Sequence, residues 1–93
     1  MAIDIQALKN TLQHELDGLR ETGEQLRLQT ALARADVRDE WARIETTIRR
    51  AQEEIQRVTQ HVAPALHELE MTVRKLFDEV RGGYERLRQL QQH

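Results

Sequence analysis

The 93-residue chain contains no cysteine and no serine. Disulfides, thiolate metal sites and Ser or Cys nucleophiles are therefore excluded within it, while the redox compartment stays undetermined. One proline, Pro64, and four glycines are the only strong punctuation, so a helix once begun has few places to stop. Aromatics make up 3 %, with one each of Trp41, Phe77 and Tyr84, against 32 % charged residues. That profile belongs to helices with exposed polar faces rather than to a thick globular core. Nowhere do 18 apolar residues run together, and Met1-Ala2-Ile3-Asp4-Ile5 has neither a basic region nor an apolar core. The expectation is a soluble, cytoplasmic protein. The net charge of −2 comes from interleaved acids and bases, which leaves no long-range field to draw the chain toward phosphate.

What the chain does have is one apolar stripe through residues 5, 8, 12, 16, 19, 23, 26, 30, 33, 37, 41, 44, 48, 51, 55, 58, 62, 66, 69, 73, 76, 80, 84 and 87. Only Gly23 and Thr30 on it are not apolar, and none of its members is charged. The mean step is about 3.6 residues, the α-helical period. Extra four-residue steps relieve the drift of a strict heptad, so long and nearly straight helices are expected rather than a tight coiled-coil rope. The mixture of small, branched and large residues from Ala33 to Val58 suits one specific bundle better than a generic zipper. So regular a stripe also argues against disorder.

Asp4 is placed to cap the first helix. Gly18 and Gly23 weaken that helix without a turn signature, and Gly23, on the stripe itself, marks either a close helix crossing or a partial break. Pro64 is the clear stop, putting a turn or kink near residues 60–64. Gly82-Gly83 is a second weak point. The expected fold is all-α and a single domain over 1–93: a long-helix hairpin, about 4–62 and 65–91, assembling into an antiparallel helical bundle. In that reading the second helix covers the stripe only from about Val37 to Val62. The stripe from Ile5 to Ala33 is then left for a second chain to cover, and the expected interface comprises Ile5, Leu8, Leu12, Leu16, Leu19, Leu26, Leu28, Leu32, Ala33, Val37 and Trp41. The alternative is a monomeric three-helix bundle over 4–32, 36–62 and 65–92, against which stands the lack of any turn residue in Ala33-Arg34-Ala35.

No catalytic, cofactor or metal residues are expected. His14, His61, His67 and His93 form neither the Glu-x-x-His pair of di-iron bundles nor H-E-x-x-H, and His61 and His67 read as solvated residues flanking Pro64. The carboxylates lie off the stripe among arginines, in i,i+4 pairs such as Asp39 to Arg43, Glu45 to Arg49, Glu53 to Arg57 and Glu70 to Arg74. No enzyme is implied. The functional expectation is a structural or protein-interaction module that pairs with itself, as a homodimer or tetramer, and with a further protein partner. Coating of a lipid or polymer surface, as apolipoproteins and phasins do, is the alternative, and nucleic acid has no strong case. The stretches Leu26 to Trp41, with its Asp39-Glu40-Trp41, and Leu76 to Arg88, with its Gly83-Tyr84-Glu85-Arg86-Leu87-Arg88, resemble small uncharacterised bacterial all-helical proteins that carry a central D/E-E-W and a terminal G-Y-x-R-L/I-R. That resemblance implies a bacterial, cytoplasmic helical protein and brings no activity with it.

Overall fold

A computed structural model describes residues 4–30, 34–60 and 63–91. Three helices account for nearly all of them: α1 (Ile5–Gln29), α2 (Ala35–Gln56, continued by a 3-10 turn at Arg57–Gln60) and α3 (Ala63–Gln91). No strand occurs among the described residues, and the protein is an all-α helical bundle. Glu15 and Arg74, Leu19 and Tyr84, and Gln29 and Gln91 meet in ascending order, which makes α1 and α3 parallel. Gln13 with Gln52 and Arg27 with Glu45, then Glu40 with Arg86, run in opposite senses, so α2 is antiparallel to both. The bundle measures 50 × 17 × 16 Å.

Each helix end has a local cause. Asp4 Oδ1 accepts from the Ala7 amide at 3.0 Å and starts α1. At the other end Thr30 leaves the helical region (φ −98°, ψ 146°) and its hydroxyl donates to the Arg27 carbonyl at 3.3 Å, satisfying one of the last turn's free acceptors. Arg34 precedes α2 without a side-chain cap; Asp36 in the first turn instead accepts from the Val37 amide at 2.9 Å and favours the positive end of the helix dipole. Pro64 falls in the first turn of α3, where its missing amide hydrogen costs nothing.

The expected unbroken helix over 4–62 is therefore corrected: α1 ends at Gln29 and α2 begins at Ala35. Helix propensity argues for continuity, but burial outweighs it. A break forfeits roughly four backbone hydrogen bonds at about 1 kcal/mol each. Folding α1 back buries Leu12, Leu16, Leu19 and Leu26, each worth about 1.5–3 kcal/mol. The weak break expected at Gly82-Gly83 is likewise absent, since α3 runs through both. A Cβ on Gly83 would lie 2.5 Å from Ile44 Cγ1, so this glycine lets α2 and α3 approach closely, whereas Gly82 has only Arg86 Nη1 nearby, at 3.5 Å.

Every described position of the stripe is buried or half-buried. The expectation that its first third needs a second chain falls with the long helix that motivated it. Leu12, Leu16, Leu19, Leu26, Val37 and Trp41 lie in the chain's own core, and Ile5 and Leu8 are half-buried against it. Leu28 is 89 % exposed and Leu32 and Ala33 lie outside the described residues.

Candidate interaction surface

Gly23, buried on α1, receives a side chain from α3. A Cβ there would sit 2.3 Å from the Tyr84 hydroxyl oxygen, so the glycine is the socket for the Tyr84 ring arriving from α3. Seated in it, Tyr84 Oη donates to the Leu19 carbonyl at 2.7 Å, and burial pushes the phenol above its usual value. The Trp41 ring leans on Tyr84, with centroids 6.1 Å apart and planes tilted by 55°. Trp41 Nε1 donates to Thr30 Oγ1 at 3.1 Å, and the Arg27 guanidinium lies 5.7 Å from the indole centroid.

These contacts leave an open cleft of about 240 Å³ along the α1–α2 seam. Trp41, Ile44, Ile48 and Tyr84 line its apolar part, while Arg20, Glu24, Arg27 and Glu45 form its edges. Arg27 and Glu45 are joined at 2.8 Å across the seam. The volume lies below the roughly 300–1,000 Å³ usual for small-molecule sites, and suits one or two inserted side chains.

Beside the cleft on α2, toward α3, a carboxylate is buried. Glu40, 2 % exposed, accepts from Arg86 Nε of α3 at 2.8 Å and pairs with Arg43 on its own helix. Burial alone would raise its pKa, but the hydrogen bonds and charges of Arg43 and Arg86 outweigh it and hold the carboxyl below its ordinary 4.5. Both acceptor oxygens are engaged, so the group is a tie between helices and no free base.

His14 and His67 are exposed, His61 and His93 lie outside the described residues, and no group of three His, Asp or Glu among the described residues is placed to hold a metal ion. Of the four expected i,i+4 pairs, Glu70–Arg74 forms at 3.0 Å. Arg43 turns to Glu40 and Arg57 to Glu54, while Glu45 takes Arg27 from α1. Of the expected interface residues that are described, Trp41 alone lines the cleft. Tyr84, Thr30 and Glu40 were not singled out as site residues by sequence reasoning. Glu40 stands only 60° of helix rotation from Val37 and 40° from Ile44, and that angle was the available signal.

No protein-family model matches the chain, and no curated protein or solved structure matches it either. No described helix is long and apolar enough to cross a membrane.

Proposed function

We propose that the protein is a non-enzymatic helical module that works by binding another protein through the α1–α2 cleft. One observation supports this above others: Trp41 leans on Tyr84 beneath an opening whose rim carries Arg20, Arg27, Glu24 and Glu45. Buried aromatics beside arginine are the residue types that dominate binding energy at protein interfaces. The partner's contribution is an apolar side chain on a helix or extended segment, with charges of both signs to meet the rim.

A photo-crosslinking residue placed at Glu45 on the rim, with Met71 on exposed α3 surface as the comparison position, tests the reading in the cells that express the protein. A discrete adduct from position 45, none from position 71, and its loss on Ile48→Arg are the expected results. Equal labelling from both positions, or an adduct that Ile48→Arg leaves untouched, contradicts a partner seated in the cleft.

A further inference from the structure

Arg27 sits in the Trp41 cleft as a ligand would. Its guanidinium lies over the indole ring, 5.7 Å from the centroid, and Nη1 donates to Glu45 Oε1 at 2.8 Å. An aromatic face and a carboxylate are together what recognises a cation. Trp41 is 6 % exposed, so a ligand entering the cleft gains the ring face only by displacing a group already on it, and Arg27 is the one held there from the cleft side.

Arg27, Trp41 and Glu45 also border a second depression of about 250 Å³, completed by Arg38 and Ala42. The Arg27–Glu45 pair is thus a bar between two openings, and turning Arg27 away joins them over the indole. Neither opening alone reaches the roughly 300–1,000 Å³ of ordinary ligand sites; joined, they do.

The bar is built to exchange. Each of its side chains is 51 % exposed, and an ion pair in water does little to hold one geometry. A second acceptor stands on the same helix: Glu24, three residues before Arg27 and on the cleft edge, has no hydrogen bond or ion pair among the described residues. Residues three apart on a helix are neighbours, so Arg27 reaches Glu24 by rotating its own side chain. Arg20, another cation on this edge, faces Asp17 at 3.8 Å. With Arg27 on Glu24, Glu45 and the Trp41 face lose the cation they hold.

We propose that the cleft recognises a cationic side chain of its partner, an arginine, which replaces Arg27 on Trp41 and Glu45 while Arg27 turns to Glu24. Arginine is favoured over lysine because the group it replaces is itself a guanidinium lying over a ring. The inference rests on the cleft reading above and adds the partner's chemistry: a basic residue next to the apolar one that fills the space beside Ile48 and Tyr84. Arg27 is then a resident competitor, and the apparent affinity falls with the fraction of molecules in which it has swung away. A partner carboxylate would instead pair with Arg27, and removing Arg27 would weaken it.

The test uses the single tryptophan, whose indole N–H gives one resolved peak in a proton–nitrogen correlation spectrum. The purified protein is titrated with N-acetyl-leucyl-arginine amide, and with the leucyl-glutamate amide as the acidic counterpart. A saturable shift of the indole peak by the arginine probe is expected, several-fold tighter in Arg27→Gln. In Glu45→Gln it should be several-fold weaker but not abolished, since the ring face remains. Glu24→Gln should weaken binding in the wild type and have no effect once Arg27 is replaced, a dependence that a merely structural role for Glu24 does not produce. All three positions are exposed, and circular dichroism checks that helicity is kept. An Arg27→Gln protein that binds the arginine probe no more tightly than wild type overturns the inference, as does tighter binding of the glutamate probe. Equal binding of both probes that Ile48→Arg abolishes overturns the cation preference while keeping the cleft. Silence of the arginine probe in every variant also overturns the inference, and the cleft reading then stands or falls on the adduct from position 45.

Discussion

Gly23 and Thr30, the two members of the stripe that are not apolar, are the residues on which the tertiary structure turns. Gly23 takes the Tyr84 ring, and Thr30 closes α1 while accepting from Trp41. Both sites were visible in the sequence as exceptions to a pattern, but their meaning was not, because it depends on side chains 61 and 11 residues away. The glycine pair in α1 separates intrinsic propensity from contact. Gly18 has nothing within 4 Å of an added Cβ, so Gly18→Ala should stabilise the protein by about 1 kcal/mol. Gly23→Ala gains the same propensity, yet it drives a methyl into Tyr84 and should cost about 1–3 kcal/mol net. Urea denaturation of the two variants checks this, and a stabilised Gly23→Ala would remove the socket from the account.

Among the helices, α2 and α3 share the most extensive contact, and the Glu40–Arg86 bond lies within it. The helical period and the stripe could be read from sequence because periodicity survives any tertiary arrangement. The end of α1 could not, since Ala31 to Ala35 carry no stop and the break follows from burying Leu12, Leu16, Leu19 and Leu26. Local propensity lost to tertiary burial there. Glu40 was obscured for a related reason: its neighbours Asp39 and Arg38 are exposed, and the acid beside them reads as one more solvated charge until α3 supplies Arg86. Its lowered pKa sets a pH dependence. A carboxyl held below its unfolded value stabilises the fold above that value, and the contribution is lost as pH falls from about 4.5 through the lowered folded value. Glu40→Gln should be less stable at neutral pH and lose less between neutrality and strong acid. Parallel stability curves for the two proteins would mean that Arg43 and Arg86 do not hold the charge.

For the molecule as a whole, the described part of the stripe, whose first third sequence reasoning assigned to a seam between copies, is spent inside one chain, and the Trp41 cleft stays open beside it. The distance between the start of α1 and the end of α2 reports that closure. Spin labels on Asn10→Cys and Glu53→Cys, in dilute protein, report it by double electron–electron resonance. With Gln13 and Gln52 in mutual hydrogen bonds, the closed bundle predicts a distance of roughly 20–30 Å, set by interaxial spacings of 8–10 Å and the label arms. A distribution centred near 65 Å, the length of 43 helical residues, would show one continuous helix in the isolated chain and contradict the three-helix bundle.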